Sequence, residues 1–354
     1  MTGGIVNGIS QLPEHIKRAI ELGAMAEFAT VSAAGVPIDT PTYYFPSDDL
    51  SSLDVATGLA YPAKAERARR NPKVGMLVEA GADGPVILVR GRAAVRDANF
   101  AANAVRYLSE TGFEGISYGL PWSEAAKAVW YWTRIIVEVT PERISWWDSP
   151  AEMDQPPSVW QAPANSVYPA SDPPPPGKPS APAQWHQRPW QEIAKDGFAR
   201  GIAPHLTVCD DDGYPLPIRN RSCELIGDRF RMELPRHLPW DAAGKKATLS
   251  FIGLETFVGD VSVEDGVHWL AVERALPESP LMRNPREVLQ PSPEIRAKLM
   301  ARLEVEVARR GQTIPNIPEQ IPAPTRLAAA RFAHYGKSAP TVEGTVDATP
   351  GGSA

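Results

Sequence analysis

Apolar and polar residues alternate over short runs along most of this chain, with turn-forming residues between the runs. Glu27 to Ser32 and Pro37 to Phe45 are predicted strands joined at Ala33-Ala34-Gly35, and Ser47-Asp48-Asp49 turns the chain into Leu53 to Thr57. Val74 to Val78 and Val86 to Arg96 continue the meander, Gly91 marking a bulge or a close backbone approach. Arg134 to Val139 and Ile144 to Trp147 close it. Helical periodicity is confined to Leu12–Leu22, which Pro13 opens and Gly23 stops, to a short stretch after Pro62, to Asp97–Leu108 and to Ala125–Trp132. The segment from Thr111 to Trp122, rich in glycine and aromatic residues, is irregular and suited to a pocket wall.

From Ser149 to about Pro189 the periodicity disappears and proline dominates, including Pro173 to Pro176 in a row. Such a stretch is extended and semi-rigid, a spacer rather than a floppy tether. Strand cadence then resumes: His205–Cys209, the turn Asp210 to Gly213, Pro215–Leu225, Phe230–Leu234, Ala247–Ile252, Val258–Val263 and His268–Glu273. GKKATLSF in this half stands where NPKVGMLV stood in the first. Pro291–Arg310 is amphipathic, with Ile295, Leu299, Leu303 and Val307 at helical spacing, and Thr325–His334 is a further short helix. The pattern predicts a mainly β chain of two tandem antiparallel barrels with peripheral helices. Its expected parts are a first barrel over 1–150, the linker over 151–189, a diverged second barrel over 190–290, a helical segment over 291–335 and a disordered tail over 336–354.

The 354 residues suffice for two cores, and a net charge of −6 argues against broad nucleic-acid binding. There is no signal-like N-terminus and no membrane-length apolar run, so a cytoplasmic protein is expected, with neither nucleic-acid nor membrane partners. Cys209 and Cys223 fall on what read as adjacent strands and are expected to be two buried thiols rather than a bridge. The six histidines have no zinc-ligand spacing and no hydrolase or phosphate-loop motif is present, so no metal site is expected.

The informative stretch is Asp54–Val78, DVATGLAYPAKAERARRNPKVGMLV, which predicts strand, turn, short helix and strand. Pro62 suits a first helical turn, and Asn71-Pro72 stops the helix. Helix-initial N–H groups at Ala63 and Lys64, the charge of Lys64 and the hydroxyl of Thr57 make a candidate anion site. The competing reading is a solvated basic face formed by Lys64, Arg67, Arg69, Arg70 and Lys73. Arg90, Arg92 and Arg134 are further candidates for holding an anion, or are exposed strand arginines.

Thr57, Lys64, Asn71-Pro72 and the apolar strand after them resemble the pyridoxamine phosphate oxidase-like flavin-binding split barrels, and VEVTPERISWWD resembles that family's closing strand, with Trp147 at its flavin-contacting Trp. The resemblance implies two Greek-key split β-barrels and a non-covalently bound FMN. By carry-over, Thr42, Tyr43 and Tyr44 meet the ring or ribityl chain, Thr57, Ala63 and Lys64 the phosphate, and Trp147 the ring region; for the tyrosines and Trp147 ordinary core packing is the alternative. It further implies an oxidoreductase acting on a small organic molecule, with the flavin between two barrels, either a pseudo-dimer within one chain or a homodimer. Alternatives are a deazaflavin-dependent reductase, a flavin- or haem-binding protein without activity, or an interaction module. Ser149-Pro150-Ala151-Glu152 replaces the family's Arg-x-His grip on phosphorylated pyridoxal, which argues against that substrate. Val86 stands near the family's flavin-side Gln, which points to a more apolar one.

Overall fold

The computed structural model describes residues 9–112, 119–180, 188–277 and 285–335. The expected tail, part of the Thr111–Trp122 segment and residues 181–187 of the proline-rich stretch lie outside them.

The first half is a closed antiparallel barrel. Its strands are β1 (Met25–Val31), β2 (Pro37–Pro46), β3 (Leu53–Gly58), β4 (Lys73–Glu79), β5 (Val86–Arg96) and β6 (Arg134–Trp147). They run in the order β3-β2-β1-β4-β5-β6, and β3 pairs with β6 to close the ring. The register between β5 and β6 shifts between Arg90 and Gly91, as the lone strand glycine predicted. A Cβ on Gly91 would stand 2.5 Å from Val139 Cγ1. Helix α1 (Glu14–Leu22) buries Ile16 and Ile20 in the barrel core. The others of this half are α2 (Ala63–Arg70), α3 (Phe100–Thr111), α4 (Trp122–Ala125) and α5 (Val129–Trp132).

The proline-rich stretch is strapped to this barrel. Its β7 (Ser158–Gln161) adds to the edge of β6, a four-residue strand too short to show periodicity. Further along, Asp172 Oδ2 accepts the N–H groups of Asp97 (2.8 Å) and Ala98 (2.9 Å).

The second half opens with α6 (Trp190–Ala199) and forms a curled sheet of β8 (His205–Cys209), β9 (Pro215–Arg219), β10 (Ser222–Ile226), β11 (Arg229–Glu233), β12 (Lys246–Phe251), β13 (Glu255–Glu264) and β14 (Val267–Ala275). Its order is β10-β11-β14-β13-β12-β8-β9. The run β9-β8-β12-β13-β14-β11 repeats the first half's β2-β1-β4-β5-β6-β3, but among the described residues no pairing closes it. The single strand expected over Pro215–Leu225 is two. Asn220 leaves the ladder, its N–H and Nδ2 both donating to Pro204 O, and the chain crosses from one sheet edge to the other. Cys209 and Cys223 are free but half-buried rather than buried, and their strands β8 and β10 are separated by β11, β14, β13 and β12 rather than adjacent.

The halves meet through strands at equivalent places in their sheets, β1 and β4 packing against β9, and β2 against β8 and β12. The approach is close enough that a Cβ on Gly75 of β4 would stand 1.7 Å from Pro215 O of β9. Among the described residues the remaining α-helices are α7 (Pro285–Leu289), α8 (Pro293–Arg309) and α9 (Arg326–His334). Leu299, Leu303 and Val307 of α8 join the first barrel's core rather than the second's.

Candidate functional site

Gly58 ends β3, and the chain turns through Leu59–Pro62 into α2. The first helical hydrogen bond runs from Glu66 N–H to Pro62 O, so the N–H groups of Ala63, Lys64 and Ala65 stand outside the ladder. Thr57 is buried, and its Oγ1 donates only a long bond, 3.4 Å, to Tyr61 O. The turn is clamped from outside: Arg302 of α8 donates to Ala60 O at 2.8 Å and lies over the Tyr61 ring. Helix α2 is clamped as well, through Arg310 to Glu66 (3.0 Å) and Arg69 to Asp97 (2.7 Å).

The basic residues of α2 are not a uniform solvated face. Arg67 donates to Thr30 Oγ1, Arg69 pairs with Asp97, and Arg70 reaches Val31 O. Lys64, half-buried with Nζ 5.9 Å from the centre of the Phe28 ring, has no carboxylate within ion-pair distance among the described residues. Desolvation pushes its pKa down to about 7, with the charges of Arg67 and Arg134 adding to the effect and those of Glu27 and Asp39 opposing it.

Arg134 opens β6 and pairs with Gly58. It is 7% exposed, and its guanidinium lies 4.1 Å from the Tyr107 ring centre and 3.9 Å from that of Tyr131. Its Nε and Nη2 are buried without a hydrogen-bond partner, as is the hydroxyl of Tyr61. Among the described residues, two cations lacking counter-ions and a set of idle donors therefore gather at one turn. Such a site favours an anion, because a buried unpaired charge is costly until it is matched.

Of the residues singled out in the sequence, Thr57, Ala63, Lys64 and Arg134 come together here. Tyr43 is half-buried beside Tyr107, whose hydroxyl it affects electrostatically. Thr42 is buried, its Oγ1 bridging to Ala56 O on β3. Tyr44 points elsewhere, fully buried, with its hydroxyl donating to Ile20 O at 2.7 Å. Trp147 packs in the core between the halves, opposite Val86, and its indole N–H donates to Gln155 O. Arg90 and Arg92 are not free to hold an anion: Arg90 pairs with Asp210 (3.1 Å) and Asp212 (2.9 Å), and Arg92 with Glu142 (3.1 Å).

A cavity of about 840 Å³ lies between the halves. Met25, Glu27 and Leu77 line it from the first barrel, and Arg219, Asn220 and Leu254 from the second. Strand β1 links it to the turn, since Glu27 faces the cavity while Phe28, the next residue, lies under Lys64. Sequence reasoning missed this cavity because its walls come from strands far apart in the chain.

No family model matches the chain, and no curated protein matches it. Among solved structures, it is similar over 42% of its length to general stress protein 26 from Bacillus anthracis str. Sterne, at 18% identity, covering 96% of that chain with a TM-score of 0.30. Over 38% it is similar to a pyridoxamine 5'-phosphate oxidase named as putative from Listeria innocua, at 19% identity, 96% of that chain and a TM-score of 0.28. Over 37% it is similar to a pyridoxamine 5'-phosphate oxidase-related, FMN binding protein from Nostoc punctiforme PCC 73102, at 12% identity, 81% of that chain and a TM-score of 0.28. At these values they are likenesses and no more. No helix among the described residues is long and apolar enough to cross a membrane.

Proposed function

We propose that this chain is a flavoprotein oxidoreductase that holds FMN without a covalent bond and acts on a small organic molecule. The observation that carries the reading is the pair Lys64 and Arg134, unmatched cations on either side of the β3–α2 turn. A phosphate monoester brings between one and two negative charges and several acceptor oxygens near pH 7, which answers both cations and the idle donors. Lys64, Arg134, the Thr57 hydroxyl and the free N–H groups of Ala63–Ala65 are its proposed ligands. Tyr107 and Tyr131 keep the guanidinium in place.

A bound flavin would supply hydride or single-electron transfer, which none of the chain's own side chains provides. The cavity between the halves is the proposed place for the reacting groups: its volume is within the usual ligand range of about 300–1,000 Å³, and it is walled by Met25 and Leu77 with Glu27 and Arg219 as polar members. Because the second half repeats the strand order of the first and packs against it, we read the chain as a tandem repeat and a pseudo-dimer, the second half taking the place of a partner. Trp147, buried beside Leu77 and Met153 in the same cluster, supports the cavity from behind.

The test is the absorption spectrum of the purified protein, with FMN added if it is colourless. Flavin bands retained through gel filtration support the reading. Bands of a deazaflavin or of haem would replace FMN by that cofactor, and a colourless protein that takes up none of them would contradict it.

A further inference from the structure

The face between the halves buries a second group of polar side chains, distinct from the turn. Glu27 of β1, Asp39 of β2 and His205 of β8 are 7%, 0% and 1% exposed. One ligand atom from each lies within 4.8 Å of the others. Asp39 Oδ1 accepts from Thr248 Oγ1 of β12 at 3.2 Å, but Asp39 Oδ2 and Glu27 Oε2 are buried without a hydrogen-bond partner.

The histidine decides what the group is suited to hold. His205 Nε2 lies 3.2 Å from Glu79 Oε2, and Arg219 grips that carboxylate through Nε at 2.8 Å and Nη2 at 2.6 Å. Those two bonds are those of a carboxylate paired with a guanidinium. An ionised carboxylate only accepts, so Nε2 carries the proton and Nδ1 in the neutral ring is a lone pair. That Nδ1 is buried, forms no hydrogen bond, and lies 3.4 Å from Glu27 Oε1. A lone pair and two carboxylates then face one another, and the hydroxyls of Thr248 and Thr207 act on Asp39 alone. Arg219 is engaged by Glu79, and beside His205 itself Lys64 is a further group whose charge acts on Glu27 and Asp39.

We infer that Glu27, Asp39 and His205 Nδ1 form a divalent-cation site that joins the two halves, with Glu79 orienting the imidazole. One imidazole nitrogen and two carboxylates suit Zn²⁺, Mn²⁺ or Fe²⁺. The pairing of the far imidazole nitrogen with a carboxylate is how metal-binding histidines are held in one tautomer. Bonds of about 2.0–2.2 Å put ligand atoms roughly 3–4 Å apart, so small side-chain rotations close the group onto an ion. Glu27 also lines the cavity, so a further coordination position opens towards it.

The test uses the full-length protein stripped with a chelator and dialysed against Zn²⁺, and separately Co²⁺ followed by its visible absorption. The expected result is one equivalent per chain, with Glu79→Gln binding about 10- to 100-fold more weakly and His205→Ala losing the uptake. If His205→Ala does not fold, Glu27→Gln, altered at the cavity wall, carries the comparison and is expected to weaken binding and change the Co²⁺ spectrum. The inference is overturned if the unaltered protein takes up neither ion, or if the folded variants bind both as tightly as it does. A proton shared among the three groups would give the first of these results.

Discussion

Gly58 and Arg134 pair across β3 and β6, and a Cβ on Gly58 would stand 3.7 Å from Arg134 Nη1. The strand that leads into the proposed anion-binding turn is thus directly opposite an arginine without a counter-ion among the described residues. If Arg134 serves a phosphate, Arg134→Met weakens FMN binding by about 10- to 100-fold, since a hydrogen bond to a charged group is worth about 1.5–3 kcal/mol. The flavin-free protein should lose little stability, because removing a buried unpaired charge offsets the lost stacking on Tyr107 and Tyr131. A fluorescence titration and a thermal melt check both. A lowered Tm with unchanged affinity would make Arg134 structural.

Lys64 gives a pH dependence with a definite sign. Its pKa of about 7 in the free protein means that Nζ is charged below that pH and neutral above it, under the combined influence of burial, Arg67, Arg134, Glu27 and Asp39. FMN affinity is expected to fall as pH rises from 7 to 9, with a proton taken up on binding, and Lys64→Arg should flatten the profile. Stability runs the other way: the unfolded chain, with a lysine pKa of about 10.4, binds a proton that the folded chain lacks across this window. The flavin-free protein should therefore gain stability from pH 7 towards 10, and Lys64→Met should lack that gain.

Gly75 tests the contact between the halves. A methyl group there would stand 1.7 Å from Pro215 O, so β4 and β9 must separate. Gly75→Ala is expected to cost at least about 1–3 kcal/mol in denaturant unfolding. Unchanged stability would mean that the halves do not pack as described.

Tyr44 separates structural from binding roles. Tyr44→Phe removes the hydroxyl that donates to Ile20 O in a fully buried position. The expected cost is about 1 kcal/mol, with FMN affinity unaltered. A large change in affinity would place its side chain in the site.

Local features of the fold were legible in the sequence. Alternation located the six barrel strands, Gly91 the register shift, and Asp210 to Gly213 the hairpin between β8 and β9. The turn and helix start that carry Lys64 were legible too, because a single short stretch holds them. What escaped depends on strands distant in sequence. Nothing local tells Arg134, left without a counter-ion, from Arg90, neutralised by a turn in the other half. Trp147 reads the same whether it faces a ligand or, as here, Gln155 and the inter-barrel core. The split of Pro215–Leu225 into β9 and β10 follows from Asn220 bonding back to Pro204, and Glu27, Asp39 and His205 meet only because strands of the two halves pack face to face.

The most direct measurement is a titration of the full-length protein with FMN, followed by absorption and fluorescence, beside Lys64→Ala and Arg134→Met. The account predicts one flavin per chain in the unaltered protein and at least about tenfold weaker binding in each variant, at the loss of one charged contact apiece. No binding by the unaltered protein, or equal binding by all three, would contradict it.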